Sequence, residues 1–133
     1  VKKQQKIPFK FTHMTKITLV LGASLNEGRY SNRAIKSLKN KNKAVVAVGL
    51  KKGIVADVTI DTAQLPYENI DTVTLYLNPK RQGEYYIYIL SLKPRRVIFN
   101  PGTENTVFEK LLLENKIESE VACTLVLLAT NQY

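Results

Sequence analysis

The stretch that decides the fold is Lys16 to Lys39, KITLVLGASLNEGRYSNRAIKSLK. Its apolar, β-branched run, Ile17 to Leu21, stops at Gly22, crosses a short polar loop and enters a helix opening near Ser31. A strand that ends in small residues and feeds a helix presents unpaired backbone N–H groups and the positive end of a helix dipole. Such a junction favours anions, phosphate above all. Ser31 is a suitable N-cap, and Ala34, Ile35 and Leu38 give the helix its apolar stripe.

Outward from that unit, three more runs have the length and composition of strands covered on both faces. Ala44 to Leu50 (AVVAVGL) ends at Gly49 and is followed by Lys51 and Lys52; Thr72 to Leu77 (TVTLYL) stops at Asn78-Pro79; Arg96 to Asn100 (RVIFN) stops at Pro101-Gly102. The spacing predicts a helix from about Arg81 to Lys93, with Tyr85, Ile89 and Leu92 on one face and Pro94 ending it. Thr106 with Glu109 predicts a capping box ahead of Phe108, Leu111 and Leu112. Val58 to Ile60 reads as a short edge strand and Ile117 to Val121 as a last strand. Thr124 reads as the cap of a short C-terminal helix.

Strand, helix, strand with short connections predicts an α/β, Rossmann-like three-layer sandwich with a mostly parallel five- to six-stranded sheet. Residues 1–13 read as a flexible basic extension and 14–133 as one domain. In such a sheet the ligand sits outside the carboxyl ends of the strands, where the strand order reverses. The four strand ends gather glycines, prolines and short amides on that single edge.

The 133-residue chain is 44% hydrophobic and 23% charged, and its formal charge is +9. Four of the lysines, Lys2, Lys3, Lys6 and Lys10, precede residue 14 with no acid among them. A basic balance suits polyanionic partners. Cys123 is the only cysteine and His13 the only histidine, which argues against most zinc, Ser–His and Cys–His chemistry. Cys123 reads as a small buried hydrophobe, and Glu68, Asp71, Glu104 and Glu109 show no spacing that pairs two carboxylates. The apolar run after the N-terminal lysines is too short for a secretory signal or a membrane span, so a cytoplasmic location is expected. Tyr85, Tyr86 and Tyr88 alternate with Ile87 and Ile89 in a core-like pattern, and no nucleic-acid motif is present; nucleic acid is a disfavoured partner.

Gly22-Ala23-Ser24 with Gly28 lacks the second glycine of the dinucleotide fingerprint, and no Walker loop follows a strand. The longer loop offers Asn26, Arg29, Tyr30, Ser31 and Asn32 instead, with main-chain amides, to a diphosphate. The second strand ends in Gly49-Leu50-Lys51-Lys52, where an NAD enzyme places a carboxylate for the ribose diol. Lysine there favours a phosphate on the ribose. That leaves two ligand types, coenzyme A and NADP.

The segments LVLGAS, RYSNRA, VVAVGL, TVTLYLNP, RVIFNPGTEN and EVACTLVLL, in this order, resemble the stand-alone CoA-binding domain family. That family is similar to the nucleotide-binding domain of succinyl-CoA synthetase alpha subunits. The resemblance runs from about Lys16 to Tyr133. It implies that Gly22, Ala23 and Ser24, with Arg29, Tyr30, Ser31 and Asn32, take the diphosphate. Gly49, Leu50 and Lys51 would face the adenosine ribose and its phosphate. Asn78, Pro79, Asn100, Pro101 and Gly102 would border the adenine or pantetheine path. The expected protein is a non-catalytic binder of coenzyme A or acyl-CoA. The alternative is an NADP- or CoA-dependent enzyme whose catalytic groups come from a homodimer mate or a partner enzyme.

Overall fold

The computed structural model describes residues 15–133. The expected extension over residues 1–13, His13 included, lies outside the described residues. The elements in order are β1 (Ile17–Ala23), α1 (Tyr30–Asn40), β2 (Ala44–Gly49), β3 (Gly53–Val55), β4 (Val58–Asp61) and β5 (Ile70–Leu75). They continue with α2 (Pro79–Gln82), a 3-10 turn (Gly83–Tyr85), α3 (Tyr86–Leu92), β6 (Arg96–Phe99), α4 (Thr106–Glu114), β7 (Glu118–Val121) and α5 (Thr124–Ala129).

The strands form one sheet in the order β3-β4-β2-β1-β5-β6-β7. β1 lies parallel to both β2 and β5, so the chain winds away from it in opposite directions and the order reverses there. β3 alone runs antiparallel, against β4. This is the expected Rossmann-like architecture, with seven strands because a hairpin adds β3 at the edge where Val58–Ile60 was expected. Its turn places Ala56 and Asp57 at φ 49° and 68°. Two successive left-handed residues mark a primed hairpin turn, normally flagged by Asn-Gly or Asp-Gly; Ala-Asp carries no such flag.

Alternate residues of the sheet feed two cores. Leu19, Leu21, Val73, Leu75, Val97 and Phe99 join Ile89 of α3 with Phe108 and Leu112 of α4. Val20, Ala23, Ala47 and Ile60 join Ile35 and Leu38 of α1 and Leu128 of α5. Fully burying one such large side chain contributes about 1.5–3 kcal/mol. With a strict period of two, Leu21 and Ala23 would share a face. The pairing slips between them, and Gly22 takes φ +95°, so each residue reaches a different core.

Helix starts differ from the expected caps. Arg29 occupies the N-cap of α1 without a side-chain cap bond, and Ser31 lies buried inside the helix. Asn105, not Thr106, caps α4, its Oδ1 accepting from the Phe108 N–H at 3.1 Å. Cys123 precedes α5, while the Thr124 N–H donates to Asn100 Oδ1 at 2.8 Å. The helix expected from Arg81 begins earlier, at Pro79 after an Asn78 cap, and is broken by the 3-10 turn. Asparagine wins at α2 and α4 because its short amide both leaves the helix and reaches back to its N–H groups.

The opposite, amino-terminal edge is tied by charge. Arg95 donates to both Asp71 oxygens, at 2.9 and 3.1 Å. Arg96, almost fully buried, donates to Thr72 and Glu120 and lies 4.6 Å from the centroid of the Tyr133 ring.

Candidate functional site

A cleft of about 400 Å³ opens outside the carboxyl ends of β1, β2 and β5. Its walls are Gly22–Asn26 and Arg29, Gly49–Lys51, and Tyr76, Leu77, Arg81 and Tyr85. This is where the strand order reverses, and the volume lies within the range of small-molecule pockets.

Main-chain packing shapes its floor. A Cβ on Gly22 would stand 2.9 Å from the Tyr76 carbonyl carbon and oxygen, and the Tyr76 N–H donates to the Leu21 carbonyl at 2.8 Å. The β1–α1 loop is held by side chains that imitate turns. Ser24 Oγ accepts from the Asn26 N–H at 3.0 Å, and Asn26 Oδ1 accepts from the Gly28 N–H at 2.8 Å. The buried Asn32 amide donates to the Ser24 carbonyl at 3.0 Å, locking the loop to α1. Burial pushes the Tyr76 phenol up to about 12, so it stays protonated near neutrality, and its buried hydroxyl has no hydrogen-bond partner among the described residues.

Three cations, Arg29, Lys51 and Arg81, line the cleft, and among the described residues its walls carry no carboxylate, imidazole or thiol. Among the described residues none of the three has an ion-pair partner. Arg29 and Lys51 are exposed; Arg81 is half-buried. Such a surface attracts a polyanion and offers nothing to a cation.

Of the residues expected from sequence, Gly22, Ala23, Ser24, Asn26, Arg29, Gly49, Leu50 and Lys51 meet around this opening. Tyr30 projects outward with Arg33 5.5 Å over its ring, and Ser31 and Asn32 are buried below the loop. Asn78 and Pro79 start α2 outside the lining, with Asn78 Oδ1 accepting from the Arg81 N–H. Pro101 and Gly102 are exposed on the β6–α4 loop. Asn100 is buried, and its amide is spent internally: Nδ2 donates to Thr74 Oγ1 and the Leu75 carbonyl, and Oδ1 serves Thr124. Leu25, Tyr76, Leu77, Arg81 and Tyr85 line the cleft without having been singled out. Asn-Pro ahead of Arg81 is a cap-then-N1 signal that places Arg81 in a first helical turn beside the strand end.

The fold and this edge define a Rossmann-like α/β domain with its cleft at the strand-order reversal. Residues 16–129 match the model of the CoA binding domain family, and the chain belongs to that family. A crystal structure of an uncharacterized protein is 49% identical, with a TM-score of 0.87 over 90% of this chain and 98% of that one. A protein from Thermus thermophilus is 20% identical, with a TM-score of 0.78, over 92% of this chain and 94% of its own. A hypothetical protein from Pyrococcus horikoshii is 24% identical, with a TM-score of 0.75, over 88% and 84%. The last two show likeness of fold. No curated protein matches the sequence. No helix among the described residues is long and apolar enough to cross a membrane. Nor does any group of three or more His, Cys, Asp or Glu among them suit a metal ion.

Proposed function

We propose that this protein is a cytoplasmic binding module for coenzyme A or an acyl-CoA, acting as a carrier, sensor or partner subunit rather than as a catalyst. The observation that carries the reading is the convergence of Gly22–Ser24, Arg29 and Gly49–Lys51 on one cation-lined opening in a CoA binding domain. The diphosphate lies over the Gly22–Ser24 turn, near the start of α1, where backbone N–H groups and the helix dipole favour negative charge. Lys51, beyond the end of β2, meets the ribose 3′-phosphate. The hydroxyls and cations of the walls bind and orient the ligand.

Calorimetry with coenzyme A, dephospho-CoA, NADP and NAD tests this. Coenzyme A is expected to bind most tightly, with dephospho-CoA weaker. Tighter binding of NADP than of coenzyme A would move the assignment to the other ribose-phosphorylated nucleotide, and absence of binding by all four would end it.

A further inference from the structure

We infer that Arg81 is a second diphosphate-binding residue, set on the β5 side of the Gly22–Ser24 turn, opposite Arg29 on the α1 side. The inference rests on the CoA reading above and assigns a role that neither the loop sequence nor the family match supplies.

Local structure fixes where Arg81 stands. Its N–H donates to both the side chain and the carbonyl of Asn78, at 3.2 and 3.0 Å, which pins it in the first turn of α2. The next residue, Gln82, is fully buried and anchored, its Nε2 donating to the Leu77 carbonyl at 2.9 Å and the Thr103 carbonyl at 2.8 Å. Gln82 Oε1 in turn accepts from the Asn105 amide at 2.9 Å. With Gln82 directed into the protein, Arg81 joins the cleft wall. The segment leading to it presses on the Gly22 turn: a Cβ there would meet Tyr76 main-chain atoms at 2.9 Å and Leu77 Cδ2 at 3.2 Å.

Charge then selects the ligand group. A half-buried guanidinium without an ion-pair partner is poorly compensated, and a bound anion supplies what the protein does not. Strand order decides which anion. β1 lies between β2 and β5, so Lys51 and Arg81 flank the Gly22 turn on opposite sides. A nucleotide laid across these three strand ends, with its ribose phosphate at Lys51, carries its diphosphate over β1, between Arg29 and Arg81. The planar fork of arginine suits two oxygens of that group.

The test is calorimetry of coenzyme A and dephospho-CoA with wild type, Arg81→Gln, Lys51→Gln and Lys80→Gln. Lys80 neighbours Arg81 on α2, is exposed and lies outside the cleft, so its variant removes the same charge without the contact. Arg81→Gln is expected to weaken both ligands alike, by about tenfold or more. Lys51→Gln is expected to weaken coenzyme A alone. Lys80→Gln is expected to leave both within about twofold at physiological salt, where exposed charges are screened. The inference is overturned if Arg81→Gln binds coenzyme A like wild type, if its loss spares dephospho-CoA, or if Lys80→Gln loses as much. If wild type binds neither ligand, the CoA reading fails and takes this role with it. Matching melting curves of Arg81→Gln and wild type would tie the loss to the contact; no side-chain bond of Arg81 within the described residues is removed.

Discussion

Gly49 lies against Ala23 so closely that a Cβ on it would stand 2.2 Å from the Ala23 carbonyl oxygen. No side chain relaxes such a clash, because both parties are main chain in adjacent strands. Gly49→Ala is therefore expected to spread β1 from β2 and cost about 2–3 kcal/mol. A fall of several degrees in the melting temperature, with weaker coenzyme A binding at temperatures where the fold persists, would show it.

Asn100 divides structural from ligand roles at the same edge. Asn100→Ala leaves the Thr124 N–H without its acceptor and removes both Nδ2 bonds, so a loss of about 2–3 kcal/mol is expected. Because Asn100 is not part of the cleft wall, the affinity of the still-folded fraction should change little. Denaturant titration and calorimetry on one sample separate the two effects.

The pH dependence of stability should carry the mark of Asp71. Burial raises its pKa, but hydrogen bonds from Arg95 and Thr72 outweigh burial and hold it below the usual carboxylate range. A carboxylate lowered in the folded state contributes above its unfolded pKa, and that contribution fades as pH falls through the folded one. Arg95→Ala should therefore destabilise the protein near pH ~7, by no more than about 1 kcal/mol since Arg95 is half exposed. The difference from wild type should shrink below pH ~4. Equal losses at both pH values would refute the pairing.

Gly83 offers the opposite outcome. It sits at φ −56°, ψ −37°, and nothing lies within 4 Å of the place a Cβ would take. Gly83→Ala is expected to stabilise by about 0.5–1 kcal/mol, through the unfolded chain's lost freedom. Thermal melting measures it, and coenzyme A affinity should not move.

The central strands β1, β2, β5 and β6 were legible because helices cover both faces of the sheet there, so each reads as a run rich in apolar and β-branched residues. Gly53–Val55 was not, being three residues long and joined by a turn whose left-handed pair is Ala56-Asp57. The β1 and β2 ends were legible as cleft walls because Gly22 and Gly49 punctuate their strands and polar residues follow. Arg81 was hidden for a different reason. A helix expected to begin there fixes its stripe from Tyr85, Ile89 and Leu92, whereas the cap at Asn78 and the 3-10 turn rotate the first turn independently of α3. Asn100 shows the reverse: an amide at a strand end looks available to a ligand, and three internal partners claim it.

The contact between Gly22 and the Tyr76 peptide group has a consequence for how such domains diverge. Peptide groups are common to every sequence, so substitutions cannot rewrite the base of this opening; they can only break it. Selection for a new guest must act on the rim, where Arg29, Lys51 and Arg81 are free to be exchanged one at a time.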